Sequence, residues 1–377
     1  MRFSCLAASL IAIGAVAYAE DAVPLDTFVG GRAVIHANVA TTASYVGGRT
    51  VLQRVAGAPT YTYAWPGVYF EAAFKGDTVA LKTDDDQNDL HLYVDGALKL
   101  TLQKPGRTTL SLGDLGPGPH VVRLEKASET QSSSGTFDGF TVPAADAALP
   151  APRYDRRIEF IGDSFTVGYG DGSRGQTCTT EDVAETTDTS RAFGPLTAKH
   201  FGAAYRIDAY SGDGVVRNYS GIRPAVTLPV LYRYALFDGA TAADDAGWTP
   251  DVVVVGLGTN DFSTPLGPNE RWKTREDLRA DFVATYAAFV RSLAAEWPGA
   301  HFILMAATDG TSERIDTANL TAEVLKNGGM TAVEVLPFGG LDYQACHGHP
   351  SLADHAALSR LLIERISQLP KFDGAEK

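Results

Sequence analysis

The sequence predicts a β-sandwich of the jelly-roll kind followed by an α/β domain built on a parallel sheet. Short runs of alternating polarity, divided by turn signals and uninterrupted by a convincing helix, fill the first part of the chain. After Ile158 strands and helices alternate, which is typical of a parallel sheet covered on both faces. The chain has 377 residues, which is enough for two domains. We predict the sandwich at 20–145, a linker rich in Ala and Pro at 146–155, and the α/β domain at 156–377.

The first 19 residues are typical of a secretory signal peptide. Arg2 supplies a positive end, an apolar run follows at 6–16, and Ala17-Tyr18-Ala19 is a small-x-small cleavage site. The apolar run is shorter than the roughly 20 residues that a membrane-spanning helix needs. We therefore expect a secreted or periplasmic protein without a membrane span.

The charge of the chain restricts its partners. The formal net charge is −13, and loss of Arg2 with the signal peptide makes the mature charge about −14. Such a surface repels nucleic-acid phosphates and anionic lipid, so we expect no nucleic-acid partner and a neutral ligand. We also expect a monomer.

The cysteines favour a disulfide over a metal site. Cys5 leaves with the signal peptide, so Cys178 and Cys346 remain in a compartment that permits disulfides. Cys–His metal clusters need more ligands at closer spacing than this chain offers, so we expect no metal.

Alternating polarity predicts the strands of the sandwich. Examples lie at 68–74, 78–82, 90–94, 98–102, 120–124 and 137–142. Asp95-Gly96 suits a two-residue hairpin loop, which needs positive φ. The run Ser132-Ser133-Ser134-Gly135 is predicted to be a loop inside this domain, because a strand-like run follows it.

The α/β domain begins with an apolar strand at Ile158. Further strands are predicted at 205–210, 251–257, 302–307 and 333–337. Ser190 is predicted to cap a helix that runs towards His200, and Thr274 to cap a long amphipathic helix that ends by Pro298. A shorter helix is expected around 322–326, and Ser351 is predicted to cap the last helix.

The first strand of this domain ends in Gly162-Asp163-Ser164. Gly162 lets the backbone bend, and Ser164 emerges at the carboxyl end of the strand, where α/β sheets place their chemistry. Taken alone the motif is more typical of an ordinary turn, because its three residues are all turn formers.

Three later stretches add the other groups that serine hydrolysis requires, namely a base and donors for an oxyanion. They are Ser211-Gly212-Asp213-Gly214, Gly258-Thr259-Asn260-Asp261 and His347-Gly348-His349-Pro350. In the first stretch a glycine can aim a main-chain N–H inward. In the second, the side-chain amide of Asn260 at a strand end can donate to an oxyanion. In the third, Pro350 restricts His349 to an extended backbone. Each stretch alone also fits a plain polar turn or loop.

In this order the four stretches resemble the SGNH hydrolases, also called Gly-Asp-Ser-type esterases and lipases, over about residues 156–370. The resemblance implies a flavodoxin-like sheet without a cofactor. It also implies a set of catalytic residues, with Gly214 as the alternative to Gly212: Ser164, Gly212, Asn260 and His349. The preceding sandwich, Arg217-Asn218 and the run 258–263 are similar to carbohydrate esterase family two. Its members remove O-acetyl groups from xylan, glucomannan and related polysaccharides, which implies an acetylated polysaccharide as substrate.

One position departs from that family. Relatives commonly carry Asp two residues before the catalytic histidine, where this chain has His347. An imidazole cannot replace a carboxylate that accepts the histidine N–H and stabilises imidazolium. A backbone carbonyl could orient His349 in a Ser–His dyad, or Asp342 or another distant carboxylate could supply the acid, or the enzyme is weakened or inactive. We favour the dyad.

Residues around the motifs are candidates for contact with substrate, although aromatic side chains more often serve in packing. They are Asp261, Tyr169, Trp272 and Tyr343. A Cys178–Cys346 disulfide is predicted to pin the histidine loop to the nucleophile side.

Two other functions remain open: an O-acetyltransferase that passes the acyl group to a sugar, and a carbohydrate-binding protein without turnover. A generic lipase is disfavoured because no amphipathic apolar lid surrounds the motifs.

Overall fold

The computed structural model describes residues 40–55, 57–144 and 147–374. The predicted signal peptide at 1–19 and the predicted start of the sandwich lie outside the described residues. Among the residues described, no helix combines the length and the apolar character that crossing a membrane requires.

Two antiparallel sheets pack face to face in the N-terminal half, which confirms the predicted sandwich. The first sheet has the order β3-β4-β11-β6-β9, with β1 also paired to β11. Its strands are β1 (Ala40–Thr41), β3 (Thr50–Val55), β4 (Ala58–Tyr63), β6 (Val79–Asp85), β9 (Gly106–Leu112) and β11 (Gly135–Val142). The second sheet runs β2 (Tyr45–Gly47), β5 (Tyr69–Lys75), β10 (Pro119–Lys126), β7 (Asp89–Val94) and β8 (Ala97–Gln103).

The predicted hairpin joins β7 to β8. Val94 pairs with Ala97, and Asp95 and Gly96 both have positive φ, of 52° and 76°. These angles are the ones that a two-residue hairpin loop requires, and Asp and Gly adopt them at low cost. The prediction of this turn is confirmed.

Five parallel strands form the sheet of the C-terminal half, as predicted, in the order β13-β12-β14-β15-β16. They are β12 (Arg157–Gly162), β13 (Ala204–Ala209), β14 (Val252–Gly256), β15 (His301–Ala307) and β16 (Val333–Phe338). Helices connect and cover them: α1 (Ser164–Val167), α2 (Thr180–Thr186), α3 (Phe193–His200), α4 (Leu228–Leu231), α5 (Thr259–Phe262), α6 (Arg275–Glu296), α7 (Glu313–Asn327) and α8 (Leu352–Ile366).

The predicted caps of α6 and α8 are confirmed. Thr274 and Ser351 each form a capping box, with Asp277 and Asp354 respectively. The prediction that Ser190 caps α3 is wrong. Ser190 lies inside a short 3-10 turn, where its hydroxyl donates to Asp188 at 2.6 Å, so the hydroxyl is not available at the start of α3.

The two halves share a buried junction. Arg49, between β2 and β3, is 3% exposed, and its guanidinium lies 3.3 Å from Asp208 of β13 and 3.1 Å from Asp245. The segment predicted as a linker lies beside β5, where the N–H of Leu149 donates to the carbonyl of Ala73 at 3.0 Å. The ion pairs of Arg49 therefore hold the sandwich against the α/β half.

The register of the central strands positions the site. Gly162 at the end of β12 pairs with Ala209 of β13 on one side and with Gly256 of β14 on the other. The three loops that follow these strands therefore begin level with one another, at one edge of the sheet. These loops carry three of the four sequence motifs, and the stretch with His349 lies in the loop after β16.

Candidate active site

Ser164 begins the short helix α1 directly after β12. Asp163 caps this helix, since its carboxylate accepts the N–H of Phe165 at 3.0 Å. A Cβ added to Gly162 would lie 2.0 Å from the hydroxyl oxygen of Thr166, so a side chain at this position would push the turn apart. Glycine is therefore needed for the close turn that delivers Ser164.

His349 reaches Ser164 from the loop before α8. Its Nε2 lies 2.9 Å from Ser164 Oγ, and its Nδ1 lies 2.8 Å from the carbonyl oxygen of Cys346. A carbonyl can only accept, so Nδ1 carries the proton and Nε2 presents its lone pair to the serine hydroxyl. This tautomer is the one that a general base requires.

No carboxylate of the described residues occupies the position of the usual acid. The Asp342 carboxylate accepts the N–H of Gln344 at 2.9 Å instead. His347 turns away from the base: its Nδ1 lies 3.1 Å from the Tyr169 hydroxyl and its Nε2 lies 3.0 Å from the Cys178 carbonyl. The geometry thus favours the dyad, with a backbone carbonyl behind the histidine.

Aromatic rings enclose the imidazole. The rings of Tyr169 and Phe165 lie 4.4 Å and 5.7 Å from that of His349, centroid to centroid. Burial lowers the pKa of His349 to about 4, because the charged imidazolium loses solvation in this setting. His349 is therefore neutral and able to accept a proton at neutral pH.

Gly212 lies in a turn after β13 and carries a main-chain donor. Its φ is 89°, and within the described residues its N–H has no acceptor, nor has the N–H of Ser164. The alternative, Gly214, donates its N–H to the side chain of Asn218 at 3.1 Å. Gly212 is accordingly the better candidate for an oxyanion donor.

Asn260 is nearly buried, with 5% of its surface exposed, beside this turn. Its amide donates to the Asp213 carbonyl at 2.8 Å and makes a longer contact of 3.3 Å with the Asp163 carboxylate. Burial raises the pKa of Asp163 to about 7, and its contact of 3.3 Å with the amide is the longer and weaker of the two. If the 3.3 Å contact with Asp163 breaks, the second N–H of Asn260 is free to donate to an oxyanion.

Asp261 was predicted to bind substrate, but its side chain is fully buried. Its carboxylate accepts the N–H groups of Val215, Val216 and Arg217 at 2.9–3.0 Å. These contacts hold the loop that follows Gly212. The structure therefore places Asp261 beneath the site and not on a surface that a sugar can reach.

The remaining substrate candidates separate into two groups. Tyr169 lies over His349 and borders the dyad. The ring of Tyr343 lies 6.1 Å from the ring of Phe165, centroid to centroid, and so is one ring further from His349. Trp272 instead donates its indole N–H to Asp281 of α6 at 2.8 Å and packs on the core. None of the contacts described here brings Trp272 to the dyad.

Cys178 and Cys346 form a disulfide that spans 168 residues of sequence. The bond joins the loop after α1 to the loop that bears His349. A Cβ on Gly170 would lie 2.7 Å from the Cys346 sulfur, so the chain passes the disulfide closely at a glycine with φ of 59°.

Sequence reasoning missed two polar residues of the sandwich that contact the turn. The Glu129 carboxylate accepts the N–H of Ser211 at 2.9 Å, and the Gln131 side chain donates to the Ser211 carbonyl at 2.8 Å. They lie about 80 residues before the turn, and no local pattern marks them. Only the packing of the two halves reveals the contact.

A small cavity lies beneath the nucleophile turn, bordered by Asp163, Phe165 and Arg314. Its volume is about 20 Å³, enough for one water molecule but not for an acyl chain. Within the described residues no group of three His, Cys, Asp or Glu side chains is arranged to hold a metal ion.

Two family models match the chain. The model "Carbohydrate esterase 2 N-terminal" matches residues 46–152, and "GDSL-like Lipase/Acylhydrolase family" matches residues 160–356. An acetylxylan esterase / glucomannan deacetylase from Cellvibrio japonicus is 48% identical over 325 residues, which cover 86% of this chain and 90% of that protein.

Solved structures of carbohydrate esterases are similar to this chain in both sequence and fold. One solved structure is a carbohydrate esterase whose active site displays divergent catalytic and non-catalytic binding functions. It is 45% identical to this chain, with a TM-score of 0.83, and the match covers 88% of this chain and 99% of that one. A family two carbohydrate esterase from Clostridium thermocellum, in complex with cellohexaose, is 25% identical, with a TM-score of 0.73 over 86% and 98% of the two chains. The chain therefore belongs to the family two carbohydrate esterases, and its second half is a hydrolase of the GDSL type.

Proposed function

We propose that this chain is an exported esterase that removes O-acetyl groups from plant polysaccharides such as xylan or glucomannan through an acyl-enzyme on Ser164. The contact of 2.9 Å between Ser164 Oγ and His349 Nε2 carries the proposal, because it joins a nucleophile to a base in the required tautomer. The relative from Cellvibrio japonicus, an acetylxylan esterase / glucomannan deacetylase, supports the substrate class.

In the first half-reaction His349 Nε2 takes the proton of Ser164 as the serine oxygen attacks the acetyl carbonyl carbon. The carbonyl double bond opens, and its oxygen becomes an oxyanion. The N–H groups of Ser164 and Gly212 and the side-chain amide of Asn260 are its donors. Each such donor typically lowers the barrier by about 3 kcal/mol.

Collapse of this intermediate breaks the bond to the sugar oxygen, which takes the proton from His349 and departs as a hydroxyl. Water then attacks acetyl-Ser164, with His349 again as the base, and acetate leaves. The serine hydroxyl is restored, so the two steps balance with water as the co-reactant.

Export and substrate access follow from the same proposal. The N-terminal pattern of a signal peptide and the Cys178–Cys346 disulfide both suit an oxidising compartment, either the periplasm or the medium. We propose that a single chain acts there on the polysaccharide, with Tyr169 beside the dyad as the first side chain that a bound sugar meets.

The test compares hydrolysis of 4-nitrophenyl acetate and the butyrate ester by the wild type, Ser164→Ala and His349→Ala. We expect acetate-selective turnover that falls on the order of 10⁴-fold or more in both variants. His200→Ala, which changes an exposed histidine of α3, is the matched control and should equal the wild type. Release of acetate from acetylated xylan and glucomannan then identifies the polysaccharide.

Other outcomes point to other functions. Turnover that is indifferent to Ser164 would exclude the acyl-enzyme. Glycan binding that persists in Ser164→Ala, without turnover in the wild type, would identify a binding protein on this scaffold. Transfer of acetyl to an added acceptor sugar in preference to water would identify an acetyltransferase.

A further inference from the structure

Gly212, the proposed oxyanion donor, lies in a four-residue turn that has two accessible forms. The turn runs from Tyr210 to Asp213 and is closed by the Asp213 N–H, which donates to the Tyr210 carbonyl at 3.1 Å. Gly212 is the third residue and its φ is 89°, which defines the type II form. A type I turn closes the same hydrogen bond with the central peptide turned over, and glycine permits both forms.

The central peptide of this turn joins the carbonyl of Ser211 to the N–H of Gly212. In a trans peptide these two groups point in opposite directions. Whatever holds the Ser211 carbonyl therefore also aims the Gly212 N–H. In the turned-over form a carbonyl oxygen would replace the donor, and it would repel an oxyanion.

One side chain of the sandwich holds this peptide from the side opposite to the donor, and a second holds the peptide before it. Gln131 Nε2 donates to the Ser211 carbonyl at 2.8 Å, and the Glu129 carboxylate accepts the Ser211 N–H at 2.9 Å. Both come from the loop between β10 and β11. Both backbone polar groups of Ser211 are thus bonded to the other half of the molecule.

The supporting loop is itself tied to the interior of the sandwich. The Thr130 hydroxyl donates to the Asn88 side-chain oxygen at 3.0 Å, and Asn88 is fully buried. The Asn88 amide in turn donates to the Asp85 carboxylate at 3.0 Å, which also accepts the Tyr63 hydroxyl at 2.9 Å. The loop is therefore a fixed support for the turn.

We propose that Gln131, supported by Glu129, is a positioning residue that keeps the Ser211–Gly212 peptide in the form that presents the Gly212 N–H to the oxyanion. The inference rests on the proposed function, since it acts through a donor used in acyl transfer. A donor that matters in the transition state affects kcat more than KM when it is lost.

The first test variant is Gln131→Glu, which keeps the shape of the side chain but faces the Ser211 carbonyl with an acceptor. We expect kcat on 4-nitrophenyl acetate to fall about 10- to 100-fold, bounded by the loss of one oxyanion donor, with KM within about twofold. The acid limb of the pH profile should stay in place, because His349 is untouched. Gln131→Lys restores an N–H donor and should recover most of kcat.

The matched control is Gln103→Glu, which makes the same change at an exposed residue at the end of β8 and should equal the wild type. Gln131→Ala removes the donor without adding charge. It replaces Gln131→Glu as the test variant if Gln131→Glu does not fold. Tm is measured for every variant. A wild-type kcat in folded Gln131→Glu or folded Gln131→Ala overturns the inference.

Failure of the inference and failure of the proposed function give different results. If Gln131→Glu equals the wild type while Ser164→Ala is inactive, only the positioning role is overturned. If Ser164→Ala retains turnover, the acyl-enzyme itself is excluded, and the role of Gln131 falls with it.

Discussion

His349 donates its Nδ1 proton to the carbonyl of Cys346, a residue of its own loop three positions earlier in the chain, at 2.8 Å. A carbonyl carries no full charge, so it orients the imidazole but stabilises imidazolium less than a carboxylate would. The direction of the base therefore depends on how firmly this loop is held. The loop is held by the Cys178–Cys346 disulfide and by the ring of Tyr169.

The low pKa of His349 predicts activity in mildly acidic solution. The base must be neutral to accept the serine proton, and burial lowers its pKa from 6.5 to about 4. The neutral form then predominates from about pH 5 upwards, so kcat/KM should fall only below that value. The measurement is kcat/KM from pH 3.5 to 8, with Tm recorded at each pH to exclude unfolding. An acid limb near pH 6.5 would contradict the prediction.

Tyr169 should control that acid limb. Tyr169→Ala uncovers the imidazole, which regains solvation as a cation, so its pKa should rise and the limb should move to higher pH. Tyr169→Phe keeps the ring and loses only the hydroxyl contact to His347 Nδ1, so its limb should stay with that of the wild type. Identical profiles for all three proteins would show that Tyr169 does not shield the base.

Loss of the disulfide should weaken both catalysis and stability. Cys178→Ser leaves the Cys346 carbonyl in the chain but frees the loop, so kcat should fall several-fold. The free energy of unfolding should fall by about 2–5 kcal/mol. A reductant should produce the same changes in the wild type and none in the variant. An unchanged kcat in a fully reduced wild type would show that the disulfide is not needed to orient His349.

Substitution of Asp261 should lower the free energy of unfolding and kcat and leave KM unchanged. Asp261→Ala leaves three buried N–H groups without their acceptor, so the free energy of unfolding should fall by about 3 kcal/mol or more. Asp261→Asn keeps one acceptor oxygen and should lose less. The measurements are denaturant unfolding and steady-state kinetics. A raised KM with native stability would instead support the original expectation that Asp261 contacts substrate.

Local signals explain what could be predicted of the fold. The four consecutive valines of β14 are buried as a central parallel strand should be, and Thr274 and Ser351 cap helices at positions that the sequence marks. Strand β9, like strands β1 to β4, was not predicted individually. It lies at the edge of its sheet, and its polar first half, Gly-Arg-Thr-Thr, conceals the alternation.

In the candidate site, too, local motifs mark some residues, whereas other contacts arise only from the fold. Ser164 and His349 stand in motifs that mark them as candidate nucleophile and base. The partner of His349 Nδ1 is instead a backbone carbonyl, which leaves no residue-type signal. The contact of Gln131 with the turn arises from the packing of two halves that are distant in sequence. The prediction of Asp261 as a substrate-binding residue did not allow for the neighbouring loop, which needs a buried acceptor for three N–H groups.

Arg49 has a practical consequence for anyone who wishes to shorten this chain for use as a biocatalyst. A recombinant fragment that starts after the linker would lack Arg49, the cation that lies 3.3 Å from buried Asp208 in the intact chain. Removal of one partner of a buried ion pair typically costs about 3–5 kcal/mol, a large share of the stability of a typical protein. Attempts at miniaturisation should therefore remove residues from exposed loops and keep both halves in one polypeptide.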